Sequence, residues 1–395
     1  MAASKGVFIV GAKRTAFGTF GGKLKGVSAT DLGVLASQAA LQHANVKADA
    51  VDHVIFGNVV PSSRDGIYLT RHIGLKSGVP VSAGALTVNR LCGSGFQAVV
   101  SAAQQIKVGD SSLVLAGGTE NMSQTPFVVR NIRFGTGLGQ KYDFEDQLWD
   151  SLTDSYCQLP MGMTAEKLGA QYKVTREDAD KFAARSQTLW KKANDAGVYK
   201  NEISPIEVKG RKGPEQFEVD EHPRLSTPEQ LAKLKPVFKK DGLINAGNAS
   251  GISDGAAALV VAGDEAVTTH GLKPLARVVA YAAAGCDPSI MGIGPVPSIR
   301  QALKLAGMTL DQMDIVEINE AFAPQALACQ RELQIPDEKF NLNGGAIALG
   351  HPLGASGARI SVHLVHELHR RNLKYGIGSA CIGGGQGIAV IFERL

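Results

Sequence analysis

Residues 86–98 read Leu-Thr-Val-Asn-Arg-Leu-Cys-Gly-Ser-Gly-Phe-Gln-Ala, a pattern in which a strand passes through a tight turn into a helix. Apolar residues at helical spacing continue to about Lys107, so we predict a helix over this stretch. Cys92 falls just before the first helical turn, where free backbone N–H groups and the helix dipole favour an anion. The pattern therefore predicts a thiolate nucleophile whose pKa lies below the ordinary thiol value of about 8.5.

The chain repeats itself at a fixed offset of 262 positions. The identities that share this offset pair Ala40-Leu41 with Ala302-Leu303, Ala44 with Ala306, Asp49 with Asp311, Asp52 with Asp314, Val54 with Val316, Leu91 with Leu353, Ser94 with Ser356, Gly95 with Gly357 and Val100 with Val362. So many matches at one ungapped offset indicate a duplication. We therefore expect two halves that share one fold.

Each half alternates Ala-rich helices with short apolar strands bounded by glycine. The predicted helices are Asp31 to His43 and Ser298 to Ala306, and the predicted strands are Val54 to Gly57 and Ile315 to Asn319. Such alternation is typical of βαβ units in a mostly parallel sheet covered by helices. The fold class predicted from the residues is α/β.

Residues 120–250 have a different composition, rich in Met, Gln, Lys and Glu, with a charged and proline-containing stretch from Glu202 to Lys240. We predict an inserted, more irregular domain there that covers the site. The expected organisation is an N-terminal half over residues 1–119, the insertion over 120–250, a return to the N-terminal half over 251–272, and a C-terminal half over 273–395.

Composition excludes several classes of protein. The net charge is only +4 over 395 residues, with no basic stripe and no zinc-finger spacing, so a nucleic acid partner is not expected. The longest apolar stretches fall short of the roughly 20 residues of a membrane span. The five cysteines are scattered without a C-x-x-C pair, which argues against a disulfide framework and a zinc site and favours a reducing compartment.

The N-terminus allows two interpretations. Residues 1–30 contain basic side chains and no acid before Asp31, as organellar targeting segments do; the basic residues are Lys5, Lys13, Arg14, Lys23 and Lys25. Alternatively, Val7 to Val10 is the first core strand. The sequence does not decide between them.

Three further segments contain residues with catalytic chemistry. His351 lies in the glycine-rich turn 343–354, before a helix predicted to begin near Ser356, and the offset makes this turn the counterpart of the Cys92 turn. Residues 379–385 place Cys381 at a strand end before a glycine run whose N–H groups suit an oxyanion hole. In the third segment, the predicted strand Ile315 to Asn319 ends in an asparagine. If the halves pair about a two-fold axis, Cys92 and His351 approach each other.

Each segment also has a simpler interpretation. Residues 93–98 match the G-x-G-x-x-A dinucleotide fingerprint, although no acidic residue ends a strand about 20 residues later. An isolated cysteine is most often a small buried side chain, which applies to Cys92 and Cys381. His351 alone suits a turn, and Asn319 alone suits a helix cap.

Taken together, the motifs at 89–95, 319–322, 350–354 and 381–385 resemble the thiolase family in order and spacing over essentially the whole chain. Residues 130–135 and 159–164 are most similar to its mitochondrial 3-ketoacyl-CoA branch. The resemblance implies a duplicated thiolase-like fold with layered α/β/α/β/α architecture, in the mitochondrial matrix, as a homotetramer. It implies thiolytic cleavage of 3-ketoacyl-CoA in fatty acid β-oxidation, with acyl-CoA and CoA as substrates and no permanently bound cofactor or metal.

The resemblance also implies roles for named residues. Cys92 is the nucleophile, His351 its base, and Cys381 the acid that protonates the departing acetyl-CoA carbanion. One oxyanion site comes from His351 and a water held by Asn319, and the other from the N–H groups of Cys92 and Gly383. By position, Arg224, Thr227 and Ser250 are the candidate CoA contacts, although an Arg in a charged loop is usually only solvated.

Three rival functions are weighed against this one. A ketoacyl synthase typically pairs its cysteine with two histidines, whereas this chain has Cys381 and Asn319 where the thiolase resemblance requires them, which favours the thiolase. A cysteine peptidase built on Cys92, His351 and Asn319 has no use for a second cysteine beside a glycine run. A lipid-carrier or assembly subunit would not need four intact motifs.

Overall fold

The computed structural model describes residues 6–210 and 213–395, so Lys5 of the basic N-terminal segment lies outside the described residues. The strands are β1 Val7–Arg14, β2 Gly18–Thr19, β3 His53–Gly57, β4 Gly84–Val88, β5 Leu113–Asn121, β6 Phe127–Val128, β7 Glu145–Asp146, β8 Thr153–Asp154, β9 Leu159–Pro160, β10 Ile206–Gly210, β11 Gly213–Phe217, β12 Ser253–Gly263, β13 Ala276–Gly285, β14 Ile315–Ile318, β15 Tyr375–Ile382 and β16 Gln386–Arg394. The α-helices are α1 Ala29–Ala44, α2 Leu69–Lys76, α3 Ser94–Val108, α4 Gln147–Ser151, α5 Met161–Gln171, α6 Arg176–Asp195, α7 Pro228–Ala232, α8 Asp264–Thr269, α9 Pro295–Ala306, α10 Ala323–Leu333, α11 Ala346–Leu349 and α12 Leu353–Arg370.

The duplication predicted from the sequence is visible in the order of elements. Adding 262 to β3, α3 and β5 gives the positions of β14, α12 and β15, and the same shift superimposes α1 on α9. One element breaks the rule, because the positions equivalent to β4 form the short helix α11. The two halves therefore share one plan but differ at this edge.

The main sheet runs in the order β14-β15-β16-β13-β1-β12-β5-β3-β4, with β2 paired to β12. In the N-terminal half β3 pairs in parallel with both β4 and β5, and in the C-terminal half β14 pairs in parallel with β15. The next two pairs of each half are antiparallel. The expectation of a mostly parallel sheet was thus wrong. The reason is that β15 returns directly as β16 through the turn Gly383 to Gly385, without the helical crossover that a parallel pair requires.

Alternate residues of each strand belong to different hydrophobic cores, which produces the layers. Leu115 of β5 faces a core shared with α1, whereas its neighbour Val114 faces a core shared with α3 and α12. In the other half, Ala389 of β16 belongs to a third core with α9, and Val390 to the core shared with α3 and α12. Two half-sheets with helices between them and on both outer faces are the layered α/β fold that was predicted.

Helices α3 and α12 meet at their glycine-rich beginnings. A Cβ on Gly95 would overlap the backbone N of Ala358, and a Cβ on Gly357 would overlap the backbone N of Phe96. The contact is reciprocal between positions related by the 262 offset. Glycine is needed because only its missing side chain lets the two backbones approach this closely. The helix that follows His351 begins at Leu353 rather than near Ser356.

The insertion between β5 and β12 is more regular than the sequence suggested. It contains α5 and the 20-residue helix α6, whose N-terminus has a capping box formed by Thr175 and Asp178. The insertion is joined to β1 by a buried ion network, in which Arg14 binds Glu202 at 2.8 Å and Asp220 at 2.7 Å. The predicted boundary at residue 119 falls inside β5, which ends at Asn121.

Val7 to Val10 form the first half of β1, in the middle of the sheet, which confirms the core-strand interpretation of this segment. Among residues 6–210 and 213–395, no helix combines the length and apolar character that a membrane crossing demands.

Candidate active site

Cys92 lies in a strained turn between β4 and α3. Leu91 adopts a left-handed conformation with φ of +46°, which non-glycine residues rarely do. The turn is held by Asn89, whose Oδ1 accepts the N–H of Leu91 at 2.9 Å, and by Ser94, whose hydroxyl donates to the Leu91 carbonyl at 2.7 Å. Strain that is maintained in this way is typical of functional positions, because neighbouring contacts must stabilise it. The thiol is thereby presented just ahead of α3.

The turn opens into a mainly apolar cavity of about 380 Å³. Cys92 and His351 both line this cavity, as predicted from the relation between their turns. Other side chains on its walls come from the insertion and from both halves; they include Met122, Leu148, Met161, Phe238, Ser250, Phe322 and Leu353. The two candidate catalytic groups therefore share one space that is large enough for a small substrate.

The glycines at 93–98 do not form a dinucleotide site. A Cβ on Gly93 would lie 2.5 Å from Cδ1 of Ile382, and Gly95 packs against α12. Both positions are occupied by packing between the halves, so their backbone has no room for a pyrophosphate. The dinucleotide interpretation was wrong.

The resting state of Cys92 differs from the prediction. Burial raises the pKa of its thiol to about 11, although the N–H groups of Gly383 and of Cys92 itself act in the opposite direction. The expectation of a lowered pKa was wrong because desolvation outweighs the favourable helix end. Cys92 is thus a neutral thiol at rest and needs a base before it can attack.

His351 has the properties of that base. Its Nδ1 lies 2.6 Å from the hydroxyl of Ser356, which in turn donates to the Pro352 carbonyl at 3.0 Å, so Nδ1 carries the ring proton. The other nitrogen, Nε2, faces the amide Nδ2 of Asn319 at 3.3 Å and must accept. Burial, with a contribution from Arg359, lowers the pKa of His351 to about 3. The imidazole is therefore neutral, with Nε2 unprotonated.

Asn319 is completely buried at the end of β14, and its backbone N–H donates to the Ser379 carbonyl at 2.9 Å. Its side-chain Oδ1 has no hydrogen-bond partner among residues 6–210 and 213–395. A buried amide oxygen rarely lacks a partner, and an ordered water is a common solution. The arrangement suits the water that the sequence resemblance implied.

Cys381 lies at the end of β15 and is completely buried. It packs in a cluster with Met291, Ala321 and the partly buried Met161 and Phe322, four residues that line the cavity. Burial, then the neighbouring Cys92, raises the pKa of the Cys381 thiol well above its ordinary value. A thiol that is protonated and adjacent to the cavity can donate a proton into it.

The structure separates the three candidate CoA contacts. Ser250 lines the cavity, and its N–H donates to the Ala321 carbonyl at 3.0 Å. Arg224 and Thr227 are exposed on the insertion and do not line it. The hydroxyl of Thr227 caps α7 by accepting the N–H of Gln230 at 3.3 Å, so Thr227 already has a structural role.

Two functional candidates were missed by sequence reasoning. Ser356 orients His351, and its only sequence signal is its place five residues after the histidine in the first turn of α12. Glu120 is a buried carboxylate near Cys92, and a lone Glu at the end of an apolar strand was its only signal. Neither Ser356 nor Glu120 belongs to a recognisable motif. Their relation to His351 and Cys92 becomes visible only in the folded chain.

Two family profiles match the chain: "Thiolase, N-terminal domain" over residues 7–265 and "Thiolase, C-terminal domain" over residues 272–394. The human protein named 3-ketoacyl-CoA thiolase, mitochondrial, is 59% identical over 394 residues, covering 100% of this chain and 99% of the relative. An acetyl-CoA acetyltransferase of Syntrophomonas wolfei subsp. wolfei is 49% identical, covering 98% of this chain and 99% of the relative.

Solved structures give the same result. The crystal structure of human mitochondrial 3-ketoacyl-CoA thiolase matches with a TM-score of 0.99 at 59% identity, covering 100% of both chains. The crystal structure of the human protein in complex with CoA matches with a TM-score of 0.97 at 59% identity, covering 100% of this chain and 99% of that one.

Proposed function

The chain belongs to the thiolase family, and from this premise we propose how its site works. It is an acyltransferase of fatty acid β-oxidation in mitochondria that cleaves 3-ketoacyl-CoA with CoA into acetyl-CoA and a shortened acyl-CoA, as the sequence resemblance predicted. CoA takes part as a substrate. The observation that carries the proposed mechanism is the shared cavity of Cys92, His351 and the buried thiol Cys381 behind it.

In the first half-reaction, Nε2 of His351 takes the proton of Cys92, and the thiolate attacks the 3-keto carbon of the substrate. The bond between C2 and C3 then breaks, with its electron pair remaining on C2. Cys381 gives its proton to C2, so acetyl-CoA leaves, the acyl group stays on Cys92, and Cys381 becomes a thiolate.

In the second half-reaction, the Cys381 thiolate takes the proton of an incoming CoA thiol. The CoA sulfur attacks the acyl carbon on Cys92 and forms the shortened acyl-CoA. The Cys92 thiolate leaves and regains its proton from His351. Protons and electron pairs therefore balance over the cycle without any other reactant.

Two oxygens become negative during this cycle, and each needs donors. The thioester oxygen of the departing enolate is assigned to Nε2 of protonated His351 and a water on Asn319, which the unpaired Oδ1 of Asn319 supports. The oxygen on the 3-keto carbon is assigned to the N–H groups of Cys92 and Gly383. Both N–H groups lie near enough to the Cys92 sulfur to lower its pKa, which supports this assignment.

The position of Cys381 also orients the substrate. Since Cys381 must reach C2, the acetyl-CoA part lies on the side of Met291, Ala321 and Phe322. The acyl chain is then assigned to the apolar wall formed by Met122, Leu148 and Leu353, which line the cavity and belong to the cluster against which Cys92 packs. This apolar wall is suited to a hydrocarbon chain.

We assign CoA binding to the insertion, residues 120–250. The proposed domain division is otherwise an N-terminal half over 1–119 and 251–272 and a C-terminal half over 273–395. Ser250 in the cavity supports this directly. Arg224 is exposed near the same segment, where its guanidinium can meet a phosphate of CoA. Thr227, three residues after Arg224, is the N-cap of α7 and completes the proposed set of CoA contacts.

A homotetramer is also part of the proposal. In the sheet formed by the described residues, β4 is an exposed edge strand with β3 on one side only, and Leu86 is 43% exposed, which favours pairing with a second copy. Residues 127–144 expose a second apolar group, made of Phe127, Ile132, Phe134, Leu138 and Phe144. Light scattering of the purified protein should give about four times the chain mass, and Leu86→Lys should reduce it.

The mechanism is tested by following loss of acetoacetyl-CoA and of a longer 3-ketoacyl-CoA on addition of CoA. Wild type should cleave both substrates, and Cys92→Ala should cleave neither. The control Cys157→Ala, a change at a cysteine outside the cavity, should behave as wild type. Cleavage of acetoacetyl-CoA alone would restrict the substrate class to short chains. A fully active Cys92→Ala variant would exclude the mechanism.

A further inference from the structure

Glu120 is a completely buried carboxylate whose partners are uncharged donors from two separate segments. Its Oε1 accepts the N–H of Val60 and the amide of Asn58, both at 3.0 Å. Its Oε2 accepts the N–H of Val59 at 3.0 Å and of Gly354 at 2.8 Å. One side chain thus joins the loop that follows β3 to the first turn of α12.

Each of these segments contacts a catalytic candidate. Val59 and Val60 belong to the apolar cluster against which Cys92 packs. Gly354 lies three residues after His351, in a helix whose N-cap, Pro352, offers no side-chain acceptor. Glu120 therefore supplies the acceptor that this helix start lacks. A shift of the Glu120 carboxylate would move both the apolar cluster beside Cys92 and the turn that contains His351.

The fit around this carboxylate leaves no space for adjustment. A Cβ on Gly354 would lie 2.8 Å from the Thr119 carbonyl and 2.9 Å from both Oε2 of Glu120 and the Gly57 carbonyl. The beginning of α12 is thus pressed against the ends of β3 and β5. Close packing of this kind transmits a local change instead of absorbing it.

The charge of Glu120 also acts on the thiol. Its carboxylate is among the groups that raise the pKa of Cys92, after burial. Burial raises the pKa of Glu120 itself to about 7, against the N–H groups of Val60, Gly354 and Val59 and together with Asp254 of β12. The titratable groups coupled to it include Asp254 from β12 and Cys92 from the turn before α3.

We propose that Glu120 is a positioning residue of the reaction. It holds the apolar cluster beside Cys92 and the turn that contains His351 in fixed relative positions. Its charge acts on the proton transfer between Cys92 and His351. The inference rests on the proposed roles of Cys92 and His351. Glu120 does not touch the reacting atoms and takes no proton in the cycle.

The test replaces Glu120 by Gln in the full chain, which keeps the shape but removes the charge and turns one acceptor oxygen into a donor facing N–H groups. We expect kcat for thiolysis to fall at least about tenfold, on the scale of a disturbed proton transfer. The pH dependence of Cys92 alkylation by iodoacetamide should move to lower pH, by about half a unit or more, because a nearby negative charge is gone. Glu120→Asp keeps the charge and should retain the wild-type alkylation profile.

Glu166→Gln is the matched control, since Glu166 is a buried carboxylate that accepts the N–H groups of Leu243 and Ile244 at 2.9 Å, outside the cavity lining. It should leave the alkylation profile unchanged. An unshifted profile in Glu120→Gln would overturn the proposal and reduce Glu120 to a structural role, as would an unchanged kcat. Wild type that is alkylated at Cys92 but cleaves no 3-ketoacyl-CoA would instead refute the proposed function.

Discussion

The side-chain amide of Asn319 lies 3.3 Å from Nε2 of His351, and the hydroxyl of Ser356 lies 2.6 Å from Nδ1 on the other side of the ring. An amide N–H can only donate, so this pair keeps Nε2 free of a proton. The tautomer of the base is therefore determined by its neighbours before any substrate binds. Nε2 is therefore the ring nitrogen that is free to take the proton of Cys92 in the proposed cycle.

Replacing Asn319 by Asp should invert this arrangement. A carboxylate beside Nε2 accepts the N–H of that nitrogen instead of donating to it, so the neutral ring carries its proton on Nε2 and the base is occupied. We expect kcat to fall about 100-fold near pH 8, within the usual contribution of a general base. The measurement is the pH dependence of thiolysis. Asn343→Asp makes the same change beside His363, 3.0 Å away and outside the cavity, and should lose far less.

The role of Cys381 can be separated from that of Cys92 by proton exchange. Wild type should exchange the methyl protons of acetyl-CoA with D2O, because Cys381 protonates and deprotonates C2. In Cys381→Ala the exchange should slow at least about 100-fold, while iodoacetamide still alkylates Cys92. NMR follows the exchange. Cys329→Ala, a change at another buried thiol, should exchange normally, and rapid exchange by Cys381→Ala would assign the acid to a different residue.

The cavity wall formed by Met122, Leu148 and Leu353 should set the acyl chain length. Leu148→Trp fills part of the cavity, so kcat/KM for long 3-ketoacyl-CoA should fall about tenfold or more relative to acetoacetyl-CoA. A chain-length series measures this ratio. Met291→Trp narrows the cavity on the side assigned to acetyl-CoA and should lower kcat/KM for all chain lengths alike. An equal loss on every chain length in Leu148→Trp would place the acyl chain elsewhere.

Buried neutral His351 should weaken the fold in acid. Its pKa is about 3 in the folded chain and about 6.5 when unfolded, so the unfolded state binds the extra proton between these values. Stability is therefore lost as pH falls below about 6.5, and His351 alone should account for up to about 2 kcal/mol between pH 7 and pH 5. Denaturant unfolding of wild type and His351→Gln tests this. Equal losses in the two proteins would contradict it.

Much of the fold and site was predictable because its signals are local or periodic. The 262 offset predicted two equivalent halves. A duplicated chain keeps matching residues, such as Gly95 and Gly357, where two helices must touch. The turns around Cys92, His351 and Cys381 were recognisable because each contains small residues close to the candidate side chain. The helix interpretation of 94–107 followed from apolar spacing, whereas the structure decided that Val7 to Val10 form a strand.

Sequence by itself determined the family, the reaction and the catalytic candidates, because these depend on residue types at short, characteristic spacings. Only the tertiary structure decided the strand directions, the raised thiol pKa of Cys92, the tautomer of His351 and the position of Glu120. Each of these depends on burial, or on contacts between positions as far apart as residues 120 and 354. Desolvation and long-range contact are created by packing, and no local pattern records them.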